Sequence, residues 1–212
     1  MQEKELDAFL DYLSDQWEQV FIVPGNHESY LFGNMAEIFE MEIKVRPNVT
    51  YLNHKKIVID GVEILFSTLW SHCNEEKIEK VIRDFLNCSY DYGDYKYTHH
   101  NKLHDRAVAW LNRELSTPSQ CPRIVVSHFV PSRQVDKSLK PFNDHTSMMR
   151  DYYVADLDQF LPTWNVDYWI YGHNHCNHNI EIEGVKFVSN MLAYVKHGEH
   201  ERFNHSANLD LS

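Results

Sequence analysis

The chain has 212 residues, 43% hydrophobic and 24% charged, which is enough to bury one sizeable core and has the balance of a globular domain. Its formal net charge of −11 repels phosphate backbones and argues against non-specific nucleic-acid binding. No apolar run approaches the roughly 20 residues needed to cross a bilayer, and the first residues lack the basic-then-apolar order of a secretory leader.

Leu6, Phe9, Leu10 and Leu13 stand at helical spacing and predict an amphipathic helix over 3–17. Val20-Phe21-Ile22-Val23 reads as a strand buried on both faces, ended by Pro24-Gly25. Helix, strand and polar loop in this order indicate an α/β layer arrangement. Residues 49–67 look antiparallel, with a hairpin of 57–59 and 62–66 about Asp60-Gly61. Helices are predicted at 75–87 and 98–116, the second with Leu103, Ala107, Trp110, Leu111 and Leu115 on one face. Gly93-Asp94, within a tyrosine-rich run, reads as an ordinary turn. Ile124-Val125-Val126 is a second buried strand, ending in Ser127-His128. A helix at 151–161 precedes a third strand at 167–171, which ends in Gly172-His173. A hairpin of 179–183 and 185–189 turns at Gly184. No internal repeat or linker interrupts the chain, so residues 1–212 are read as a single domain.

Three strands therefore end in short polar loops carrying histidine: Gly25-Asn26-His27-Glu28, Ser127-His128 and Gly172-His173-Asn174-His175. Ligands of open α/β sheets bind beyond the carboxyl ends of the strands, so residues far apart in sequence can share one crevice. Imidazole nitrogens and an amide oxygen suit a first-row divalent metal, and the two glycines suit a sharp turn with close backbone approach. His99-His100, His197, His200 and His205 show no ligand spacing and are expected to face solvent. Cys73, Cys88, Cys121 and Cys176 are widely spaced without a C-x-x-C pair, as in the reduced thiols of a cytoplasmic protein. Cys176 is expected to be buried and turned away from His175. Asn190 is either a turn residue or a hydrogen-bonding support for the site.

In this order and on these strand ends, the three motifs resemble the last three motifs of the calcineurin-like metallophosphoesterases, in a bacterial and phage-like branch. Ser67-Thr68-Leu69-Trp70, the helix with His104 and Trp110, and Ser189-Asn190 extend the likeness along nearly the whole chain. The resemblance implies a four-layer α/β sandwich with two divalent metals, Mn, Fe, Zn or similar, between its sheets. It also implies hydrolysis of a phosphomonoester or phosphodiester by metal-activated water. Asn26, His128 and His173 would bind the second metal, His175 the first, and His27 would sit over the leaving group. Arg133 would touch the phosphorylated substrate; His104 would touch it too, or is a helix histidine satisfied by a neighbour. The family's earlier D-x-H and G-D motifs do not precede Asn26. The resemblance then implies a domain without its first strands, one weak metal or none, and unpaired strand edges suited to self-association. Two functions follow: a metal-dependent phosphoesterase, or a binding or scaffold module of the same fold that does not catalyse.

Overall fold

A computed structural model describes residues 3–136 and 144–211, apart from the side chains of residues 3, 31, 32 and 144–148. In chain order the elements are α1 (Glu3–Gln16), β1 (Val20–Ile22), α2 (Ser29–Phe32), β2 (Met41–Arg46), β3 (Val49–Asn53), β4 (Lys55–Ile59) and β5 (Val62–Ser67). Then follow α3 (Asp84–Asn87), β6 (Ser89–Tyr90), β7 (Gly93–Asp94), α4 (Tyr97–Leu115) and β8 (Arg123–Ser127). The last are α5 (Asp144–Tyr153), β9 (Tyr168–Ile170), β10 (Asn179–Ile182) and β11 (Val185–Val188).

The strands form a six-stranded sheet, β10-β11-β9-β8-β5-β4, and a three-stranded sheet, β1-β3-β2, beside the small β6–β7 pair. β5, β8, β9 and β11 run parallel at the centre of the large sheet, and a hairpin closes each edge. Both hairpins turn where expected. Asp60-Gly61 and Glu183-Gly184 have φ of 49°, 78°, 52° and 79°, the paired positive values of a type I′ turn. α1 lies against the small sheet, held by Arg46 of β2 to Asp7 at 3.1 Å and Asp11 at 2.6 Å. α4 flanks the large sheet and buries Leu103, Ala107, Leu111 and Leu115. The stacking is helix, sheet, sheet, helix.

The two sheets are joined at their core by Phe21 and Phe66, with ring centroids 5.6 Å apart, and by a polar clasp. Asn53 is fully buried. Its amide donates to the Ile38 carbonyl at 2.7 Å and its Oδ1 accepts from the Thr68 backbone at 2.8 Å. The Thr68 hydroxyl donates to the Pro24 carbonyl at 2.8 Å. Every polar atom in this clasp has a partner, which is what makes its burial tolerable.

Several predicted elements differ. β2 alternates apolar and charged residues from Met41 to Arg46 but lies outside the predicted elements. β3 joins β1 and β2 rather than pairing with β4, because His54, at φ 50°, turns the chain from one sheet into the other. β1 is half-buried, not buried on both faces, since it lies at the edge of its sheet. The stretch 75–87 forms a 3₁₀ turn over Glu76–Lys80 and then α3. Instead of a helix at 151–161, α5 ends at Tyr153, Val154 bridges Val130 and Asp156 takes φ 58°. Gly93-Asp94 is strand; the turn lies one step earlier, at Asp91 and Tyr92, both with positive φ. His100 is wholly buried, not solvent-facing. Its ring nitrogens meet the Ser71 hydroxyl at 3.0 Å and the Tyr95 hydroxyl at 2.8 Å. Among the described residues no helix is long and apolar enough to cross a membrane.

Candidate metal centre

β8 and β9 are parallel neighbours, with Ile124 opposite Tyr168 and Val126 opposite Ile170. Their carboxyl ends therefore lie side by side, and the Gly172 backbone N–H donates to the His128 carbonyl at 3.1 Å, locking the two loops together. β1 belongs to the other sheet, and the Thr68–Pro24 bond draws its end to the same place. Gly25 lets it close. A Cβ at this position would stand 2.6 to 2.9 Å from the ring atoms of His128, so only glycine lets the backbone lie on the imidazole. The Gly25 N–H donates to Glu28 at 2.7 Å and fastens the turn.

Three donor atoms meet in the crevice. His128 Nε2 lies 2.9 Å from Asn26 Oδ1 and 3.0 Å from His173 Nδ1. For metal bonds of about 2.1 Å, two donors at right angles stand about 3.0 Å apart, so this spacing fits part of one cation's coordination shell. Burial, reinforced by the charges of His27 and His175, pushes the His128 pKa down to about 3. Burial likewise holds His173 well below the ordinary imidazole value. Both rings are thus kept neutral, the state that ligates. His173 sits at φ 76° and His175 at φ 54°, a costly conformation for residues other than glycine and common at functional sites. His173 Nε2 is buried with no hydrogen-bond partner among the described residues.

Among the described residues His175 shares no hydrogen bond with the trio. Its Nδ1 lies 3.0 Å from Glu199 Oε2 and its ring stands edge-on to Tyr194 at 4.8 Å. Among the described residues no group of three or more His, Cys, Asp or Glu side chains could hold a metal; the trio includes an amide. Asn26, His128 and His173 therefore fit one metal, and among the described residues no second donor set is grouped beside them.

His27 is exposed and stacks on Tyr30, with ring centroids 5.1 Å apart. His104 is buried on α4, its Nδ1 3.2 Å from the Trp70 carbonyl, a satisfied helix histidine. Arg133 is held between two carboxylates, Asp151 at 2.8 Å and Asp156 at 2.6 Å. Cys176 is half-buried rather than buried. Asn190 exchanges two 2.9 Å hydrogen bonds with the backbone of Asn204 and so supports the C-terminal segment. The motifs gave no sign of Asp84, Tyr30, Tyr152 or Glu199. Asp84 is buried and accepts from Asn26 Nδ2 at 3.0 Å and from the hydroxyls of Tyr30 and Tyr152.

With its two-sheet sandwich and a histidine–asparagine cluster at the strand ends, the chain belongs to the calcineurin-like phosphoesterase family, whose pattern it matches over residues 2–177. It is similar to an uncharacterized protein of Acanthamoeba polyphaga mimivirus, 26% identical over 99% of this chain and 79% of that protein. Its fold is shared with the crystal structure of phosphopantetheinyl hydrolase from Mycobacterium tuberculosis, at a TM-score of 0.59 and 20% identity, over 88% of this chain and 73% of that one.

Proposed function

We propose that the protein is a metal-dependent phosphoesterase that hydrolyses a phosphomonoester or phosphodiester. The observation that carries this reading is the convergence of Asn26 Oδ1, His128 Nε2 and His173 Nδ1 within a fold whose family is established. Those three residues would hold a divalent cation such as Mn, Fe or Zn, which when bound acidifies water and neutralises phosphate charge. Gly25 leaves room for the His128 ring, and burial keeps it unprotonated. His27, exposed at the rim on Tyr30, donates a proton to the leaving oxygen. The two ion pairs of Arg133 weigh against its meeting a phosphate unless one opens.

The net charge of −11 favours a small or peptide-borne phosphate over a long nucleic acid. Four cysteines without a disulfide among them support a cytoplasmic setting. Self-association is supported by the sheet edges, β1 and β2 of the small sheet and β10 and β4 of the large one.

A second reading, a binding module without catalysis, is favoured by one observation: His175 is engaged by Glu199 instead of facing the trio. Metal content of the purified chain, with hydrolysis of a chromogenic phosphodiester in added manganese, separates the two. The enzyme reading expects bound metal and turnover, both abolished by His128→Ala and by His173→Ala. Metal binding without turnover supports the binding module. Equal turnover in both variants and the parent would overturn the metal site itself.

A further inference from the structure

Asn26 presents a problem of handedness. Its amide has one oxygen and one nitrogen of nearly equal size, and only the oxygen ligates a metal cation. Packing alone does not distinguish the two orientations.

The far side of this amide meets a carboxylate. Asp84 is 2% exposed, and its oxygens lie 3.0 and 3.3 Å from Asn26 Nδ2. Both Asp84 oxygens are engaged as acceptors, from Asn26 Nδ2 and from the hydroxyls of Tyr30 and Tyr152, so the side chain admits only the NH₂ face of Asn26. The opposite orientation would set two acceptors against each other. The hydroxyls of Tyr30 and Tyr152 donate to the same carboxylate, and both tyrosines have their pKa values raised, by burial first and by Asp84 next. They remain protonated donors. Among the described residues the carboxylate thus has three donors, Asn26, Tyr30 and Tyr152, and no cationic hydrogen-bond partner. Asp84 comes from α3 and Tyr152 from α5, so two elements outside the strand-end motifs converge on one side chain.

We propose that Asp84 is a positioning residue that sets the orientation of the Asn26 amide and so turns Oδ1 toward His128 and His173. Its consequence for a metal rests on the metal-dependent reading above; the orientation itself does not. Removing such an outer partner typically weakens metal binding about 10–100-fold.

The test compares the full-length parent, Asp84→Asn, and the exchange variant Asn26→Asp/Asp84→Asn, with melting curves confirming that each is folded. In the exchange variant the new amide donates to the new carboxylate, so an oxygen again faces the crevice. Cobalt titration, followed by d–d absorption, should show affinity reduced about 10–100-fold in Asp84→Asn and restored to within a few-fold in the exchange variant. A second measurement needs no metal. By ¹⁵N–¹H NMR of the metal-free protein, the Asn26 side-chain NH₂ protons should exchange slowly in the parent and at least tenfold faster in Asp84→Asn. If the parent binds no cobalt but the exchange result holds, the metal reading fails and the positioning stands. Unchanged NH₂ exchange in folded Asp84→Asn overturns the proposal. So does lost cobalt affinity that the folded exchange variant fails to restore, since a merely structural role for Asp84 predicts that pattern.

Discussion

At the residue scale the centre depends on one missing methyl group. Gly25 has no positive φ requirement; what it supplies is space, because a Cβ would fall 2.6 Å from His128 Cε1. Gly172 makes a useful contrast, since a Cβ there would stand 3.4 Å from the His128 carbonyl oxygen, an ordinary contact. Gly25→Ala should therefore move the His128 ring and weaken manganese binding at least tenfold, at a stability cost of about 1–3 kcal/mol typical of overpacking. Gly172→Ala should retain most of the affinity. Calorimetric titration of both variants, with urea melts alongside, checks the difference. Equal affinity in the two would mean that the ring is not held by the backbone at Gly25.

At the scale of elements, the turn between β3 and β4 carries a pH dependence. His54 is buried against Phe39 and Trp110 and meets the Ser67 hydroxyl at 3.1 Å. Burial, and after it the charge of Arg106, lowers its pKa to about 3, against about 6.5 in an unfolded chain. Between those values the unfolded state binds a proton that the folded state refuses. Stability is therefore complete above about pH 6.5 and is lost as the pH falls toward 3. His54→Asn tolerates the left-handed backbone and removes the titration. Its urea-measured stability should fall less steeply than the parent's between pH 6 and 5, by about 1 kcal/mol per pH unit. Parallel slopes would show that His54 is protonated in the fold.

Elements with strong periodic or turn signals were legible in the sequence. α1, α4 and both hairpins fall where spacing, the Asp60-Gly61 pair and Gly184 place them, with Glu183 joining the second turn. β2 carries a legible signal, since Met41–Arg46 alternates apolar and charged residues, although its burial follows that alternation only in part, with Ile43 exposed. At the site, Asn26, His128 and His173 could be named because each follows a short apolar strand. Asp84 could not, since its function comes from long-range contacts with Asn26 and Tyr152 and no local pattern encodes them. The burial of His100 is illegible for the same reason: it depends on Ser71, Tyr95 and the surrounding rings.

At the scale of the whole molecule, the centre joins parts of very different constancy. His128 and His173 follow the ends of adjacent central strands of the large sheet, while His175 is engaged by Glu199 in a segment of 3₁₀ turns that contains no buried residues. Segments with so little buried surface open far more readily than sheet cores. Glu199 also accepts from the Tyr194 backbone at 2.9 Å, so one carboxylate fastens both the segment and the imidazole. The two histidines of Gly172-His173-Asn174-His175, only two positions apart, should therefore differ in chemical reactivity. An imidazole-acylating reagent applied to the native protein should label His175 and spare His173, and Glu199→Ala should quicken that labelling while leaving the melting temperature in place. Peptide mapping by mass spectrometry reads both positions at once, and equal labelling of the two would show that the segment and the sheet open together.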